Sequence, residues 1–170
     1  MPNWCEGNIR LRGTGAAILE FLKNEIMFVG YDGSLLNPVE CAPRIEDDGC
    51  EVTVSIPETA RGWHMKSAYV NGTHRNFIDE KSFYVYLGDD EERAEVITVC
   101  IDNFKAAWGI VSEPYVEKAR KYGIDIKIVG FEKGMQFAQI IEIVDGELIK
   151  DQEINFDDWD WECLMPNMGG

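Results

Sequence analysis

Apolar and polar residues alternate at the opening of the chain, where Ile9 and Leu11 are interleaved with Arg10 and Arg12. Successive strand side chains face opposite ways, so the pattern predicts a strand with one buried and one wet face. Gly13 and Thr14 close it, and Thr14 can cap a helix by accepting an orphan backbone N–H. Ile18, Phe21, Leu22 and Ile26 then recur at helical spacing, which predicts a helix to about Met27, broken by Gly30 and Asp32-Gly33. Residues 35–48 contain Pro38 and Pro43 and read as loop. Val52, Val54 and Ile56 alternate with Glu51, Thr53 and Ser55 as a strand that Pro57 ends.

Residues 59–80 are the least regular part, with Asn71-Gly72 as a strong turn signal. Phe83, Val85 and Leu87 alternate with Tyr84 and Tyr86 as a strand. The run Val96 to Ile101 is almost wholly apolar and reads as a central strand buried on both faces. Ser112 and Pro114 open a second helix, with Val116, Ala119 and Tyr122 inward and Gly123 as its left-handed cap. Ile124, Ile126 and Ile128 form the next strand, Phe137 to Ile143 another, and Asp145-Gly146 is the best hairpin turn in the chain. Residues 147–156 pair back as an edge strand in this reading.

Two strand–helix–strand units with right-handed crossovers predict an α+β, ferredoxin-like sheet, antiparallel or mixed, with two helices on one face and an inserted region. The expected organisation is one domain over residues 1–156, an insertion at about 58–94, and an acidic, aromatic tail over 157–170.

A net charge of −15, from 31 acids against 16 bases, repels nucleic-acid phosphates and argues against non-specific nucleic-acid binding. It suits a basic partner, or mimicry of a polyanion. The five cysteines are odd in number and contain no CxxC, so reduced thiols in a reducing compartment are expected. No apolar run approaches the ~20 residues that cross a bilayer, and the N-terminus lacks a basic region followed by an apolar core. No membrane association is expected, and a cytoplasmic protein is.

Several stretches also carry a family resemblance. Met1-Pro2-Asn3-Trp4-Cys5, followed by Asn8 and Gly13, resembles the start of the YubB ferredoxin-like domain family, small proteins common in phages and other mobile elements. Asn37-Pro38-Val39-Glu40, Gly72-Thr73-His74-Arg75-Asn76 and Ala106-Ala107-Trp108 before Pro114 are similar to later elements of that family. The chain departs from the pattern at Ala106, where Thr is usual, at His74, where Lys is usual, and in having one Pro where two are usual. The resemblance implies a ferredoxin-like fold and no established chemistry.

Motifs for nucleotide loops, zinc proteases and serine hydrolases are absent, and no cofactor is expected. A metal site from Cys5, Cys41, Cys50 and His64 matches no zinc spacing. A Ca²⁺ site from Asp157, Asp158 and Asp160 lacks the glycine turn and spaced ligands of an EF-hand loop. Cys5 with His64 or His74 is conceivable as a nucleophile pair, against the commoner role of a buried cysteine.

The most site-like stretch is Gly72, Thr73, His74, Arg75 and Asn76, polar groups gathered round a glycine turn. Arg75 can pair bidentately with a carboxylate or phosphate, or simply with a neighbouring acid. Trp4 and Trp108 are expected to pack at one end of the sheet, as core or as the wall of a groove. In the tail, Asp157, Asp158, Trp159, Asp160 and Trp161 interleave aromatics with carboxylates, either for a partner with a basic, apolar groove or as an ordinary disordered or docked tail.

The leading expectation is a non-enzymatic binding module whose partner is another protein, met through the acidic tail and the Gly72–Asn76 loop; a polyanion mimic is its sharper form. The alternative is a small ligand- or nucleotide-binding enzyme using that loop with Cys5 near Trp108.

Overall fold

The computed structural model describes residues 3–31, 38–57, 67–73 and 75–170. The opening strand β1 (Trp4–Thr14) buries Cys5, Gly7, Ile9, Leu11 and Gly13 and turns Arg10 and Arg12 to solvent. The Thr14 hydroxyl accepts the Ala17 N–H at 3.2 Å and so caps helix α1 (Gly15–Glu25), whose Ile18, Phe21 and Leu22 face the core. The helix stops at Glu25, because Ile26 already begins β2 (Ile26–Tyr31), and Gly30 lies inside that strand.

The loop expected over 35–48 instead contains two short strands, β3 (Pro38–Cys41) and β4 (Arg44–Asp47). These lead to β5 (Glu51–Ser55), β6 (Ser67–Val70), β7 (Asn76–Ile78) and β8 (Ser82–Tyr86). A 3₁₀ turn over Glu92–Ala94 precedes the long β9 (Val96–Ala107). Helix α2 (Glu113–Tyr122) has Pro114 in its first turn and Gly123 at φ 63° as its left-handed cap. The chain finishes with β10 (Asp125–Glu132), β11 (Phe137–Val144), β12 (Glu147–Asn155) and a single-turn helix, α3 (Trp159–Glu162).

The ferredoxin-like layer with two helices and an insertion is therefore overturned. The protein is mostly β, with a nine-stranded sheet, a three-stranded sheet and three helices among the described residues. The large sheet runs β12-β11-β10-β1-β9-β7-β6-β2-β3, and the small one β4-β5-β8. Every pairing in both is antiparallel. Strands β6 and β7, within the stretch read as an insertion, lie between β9 and β2 in the main sheet. Their three or four residues are too few for alternation to stand out.

Helices α1 and α2 touch each other and the sheet, and one apolar cluster joins them to Val52, Val54 and Val85 of the small sheet. Inside α2, Tyr115, Lys118 and Ala119 are buried, while Val116 and Tyr122 are only partly covered. β9 was expected to be buried on both faces. In its first half Val99 and Ile101 are buried and Ile97 is partly covered, whereas Val96, Thr98 and Cys100 meet solvent. No helix of the described residues is long and apolar enough to cross a membrane.

Candidate functional site

Four parts of the chain meet at one end of the large sheet. Trp4 at the start of β1 pairs with Ala107 at the end of β9, and Asn76 of β7 pairs with Ala106. The Trp108 N–H donates to Asn3 O at 2.9 Å, and the Ala107 N–H to Arg75 O at 3.3 Å. Trp4 and Gly170 exchange backbone hydrogen bonds of 2.7 and 3.3 Å. The segments that carry the resemblance at Trp4, at Arg75–Asn76 and at Ala106–Trp108 are thus brought side by side.

The β6–β7 turn holds its polar groups differently from a displayed loop. Gly72 supplies φ 68°, and the Thr73 hydroxyl donates to Val70 O while Thr73 O accepts the Tyr69 hydroxyl at 2.6 Å. Thr73 is buried, and so is Asn76, whose Nδ2 donates at 2.8 Å to the hydroxyl of the fully buried Tyr115. Burial pushes that hydroxyl well above the usual tyrosine range, the Asn76 bond working weakly the other way. Asn76 Oδ1 has no partner among the described residues. Gly72, Thr73 and Asn76 therefore build the turn, and Arg75 carries the exposed side chain. His64 and His74 lie outside the described residues.

Arg75 takes a left-handed backbone at φ 55°, and its guanidinium carbon lies 5.7 Å from the Trp4 ring centre and 5.3 Å from that of Trp108. Both indoles thus face one cation, an attraction worth about 0.5–2 kcal/mol per ring. Lys105 adds its ammonium 5.1 Å from Trp4 while paired with Asp79, and Phe77 meets Trp4 edge-on at 5.9 Å. Trp4 is half-buried in this cluster. Trp108 stays 57% exposed, and it too is left-handed, at φ 64°. Bulky side chains rarely adopt that conformation, which costs about 1–3 kcal/mol where the surroundings impose it.

Beside the Trp108 indole runs an open groove of about 460 Å³, lined by Asn3, Trp108, Glu132, Met135, Phe137, Glu153 and Asn155. Glu132 is fully buried and accepts the N–H groups of Gly134 and Met135, fixing the β10–β11 turn. Met135, 70% exposed, stands on the rim. The side-chain amide of Gln139 clasps Ile110 in both directions, at 2.8 and 2.9 Å, and anchors the segment that follows Trp108. Met135, Glu132, Glu153 and Asn155 were not foreseen. Hairpin alternation puts Glu153 and Asn155 on one face, but only the meeting of β1, β9 and β10 puts that face next to Trp108.

The tail separates its two tryptophans. Trp159 is buried, edge-on to Phe156 at 5.5 Å, with Nε1 donating to Pro166 O at 2.8 Å. Trp161 is 86% exposed. Glu162 turns back to accept the N–H groups of Asp157 and Asp158, and Asp160 lies 3.7 Å from Lys133. Asp157, Asp158 and Asp160 are exposed.

Cys5 is fully buried, and burial together with the nearby Glu132 carboxylate pushes its thiol up to about 12, so no thiolate forms near neutral pH. Among the described residues no three His, Cys, Asp or Glu side chains gather as a metal ion would need. No protein-family model matches the chain, and no curated protein or solved structure matches it.

Proposed function

We propose that the chain is a protein-binding module that takes a basic side chain of its partner into the Trp108 groove. The observation that carries this reading is the Trp108 indole, more than half exposed, held in an unfavourable backbone conformation and braced by Arg75. An aliphatic stem fits against Trp108 and Met135, and a cationic tip meets the exposed Glu153 carboxylate. Long cationic side chains bury their stems along apolar surface in this way. The net charge of −15 and the exposed Asp157, Asp158 and Asp160 extend the attraction over distance. Thr73 and Asn76 point inward and Arg75 is engaged by two rings, which favours this reading over a nucleotide or small-ligand site built on Gly72–Asn76. On the strength of the opening motif we add a mobile-element origin, and on the five unpaired cysteines a cytoplasmic setting.

Titration of the full chain with lysine-bearing peptides, followed by tryptophan fluorescence, tests the reading. Trp108→Ala is expected to weaken binding by about tenfold or more, as truncation of a central aromatic anchor does. Glu153→Gln weakens it less, and added salt weakens it in wild type. Equal binding by wild type and Trp108→Ala, or binding indifferent to salt, would refute it.

A further inference from the structure

We propose that the partner's basic segment binds as an added strand along the free edge of β12, over Lys150–Asn155, with one of its side chains entering the Trp108 groove; this rests on the groove reading above. Among the described residues β12 ends the large sheet and pairs only with β11, so its outer edge carries backbone N–H and C=O groups without ladder partners there. Such an edge is a template for another strand, and proteins usually blunt it with proline, bulges, charge or a covering segment. Here the register skips Ile149, between the pairs Ile143↔Leu148 and Glu142↔Lys150, and then runs without interruption to Phe137↔Asn155. The regular stretch contains no proline, and Lys150 is its one cation. Every residue from Glu147 to Glu153 is exposed.

The side chains say what kind of strand fits. Asp151, Glu153 and Asn155 stand opposite Ile141, Gln139 and Phe137, on one face of the strand, and Glu153 and Asn155 line the groove. A segment laid along β12 places every second side chain on that face, beside Asp151, beside Glu153 and then over Trp108 and Met135. Lysine or arginine at alternate positions complements the two carboxylates. A second copy of this chain would set carboxylate against carboxylate on a protein of net charge −15. Strand addition draws affinity from the main chain and specificity from alternate pockets, and β12 with the groove supplies both.

The test uses the full chain and a short acetylated peptide alternating lysine with valine, together with two analogues N-methylated either at every lysine or at every valine. Only one set of peptide N–H groups faces β12 in an antiparallel or parallel ladder. One analogue is therefore expected to lose at least about tenfold in affinity, the other to bind like the parent, and β12 amides gain protection from hydrogen exchange. If both analogues bind like the parent while Trp108→Ala loses binding, strand addition is overturned and the groove reading stands. If the parent peptide does not bind at all, both fall. An equally tight peptide alternating glutamate with valine overturns the basic occupant. A dimer on sizing that protects the β12 amides without peptide overturns it in favour of a second copy.

Discussion

Glu25 is the last residue of α1 and only 4% exposed, at a helix end whose dipole disfavours a negative charge. Three donors hold it there: Lys118 at 3.2 Å, Lys121 at 2.8 Å and the Tyr122 hydroxyl at 2.7 Å. Lys121 is 61% exposed, so water screens that pair and it is worth at most about 1 kcal/mol. The Lys118 side chain is 10% exposed, and removing one partner of such a buried pair costs about 3–5 kcal/mol. Glu25→Leu is therefore expected to lower the unfolding free energy by about 3 kcal/mol, a large part of the ~5–15 kcal/mol typical of a domain. Lys118→Met costs less, because Lys121 and Tyr122 still hold the carboxylate. The double variant recovers about 2 kcal/mol of the summed loss, the coupling expected of groups in contact.

Burial alone would raise the Glu25 pKa, but the hydrogen bonds from Lys121 and Tyr122 and the charge of Lys118 hold it below its ordinary 4.5. A depressed carboxylate contributes stability above its unfolded pKa and loses it as pH falls through the folded one. The gap between wild type and Glu25→Leu therefore narrows as the pH is taken down from 4.5. Urea unfolding followed by far-ultraviolet circular dichroism, with an unchanged slope, reads each free energy. Losses that add within about 0.5 kcal/mol, or a gap unchanged in acid, would refute the reasoning. Glu25 O also accepts the Asn71 N–H at 2.8 Å, a main-chain bond that both substitutions leave in place.

Two further substitutions check the packing. A Cβ at Gly7 would stand 1.8 Å from Val129 O, so Gly7→Ala must part β1 from β10; it is expected to cost more than about 3 kcal/mol, beyond ordinary overpacking, measured by urea unfolding. Trp159→Ala is expected to lose about 3–5 kcal/mol and to speed proteolysis of the tail, whereas Trp161→Ala, in the same acidic run, changes stability by less than about 0.5 kcal/mol.

That contrast shows how far the sequence could be read. β1, α1, α2 and the β11–β12 hairpin are legible because alternation, caps and the Asp145-Gly146 turn, at φ 51° and 73°, are local features. The β-rich character was missed because β3, β4, β6 and β7 are only three or four residues long and sit among proline, glycine and acids. The apolar run in β9 suggested cover on both sides, yet strand composition does not reveal that Thr98 and Cys100 stay exposed. Trp4, Arg75 and Trp108 could each be named, but their meeting depends on the registers Trp4↔Ala107 and Asn76↔Ala106, which no local pattern encodes. Trp159 and Trp161 look alike in sequence, and only the turn of α3 sends one inward.

The place of β1 in the large sheet has a consequence for synthesis. Its neighbours are β9 and β10, so Ile9 finds Ile101 on one side and Ile128 on the other. At roughly 10 residues per second on the ribosome, β1 waits about ten seconds for the last of its partners. Until then its apolar face is open to other chains, whereas β10, β11 and β12 can zip together as soon as each appears. Long-range pairing of this kind slows folding, because loop closure must come before any contact rewards it. Nascent chains of this protein should therefore be held by chaperones chiefly through the β1 segment.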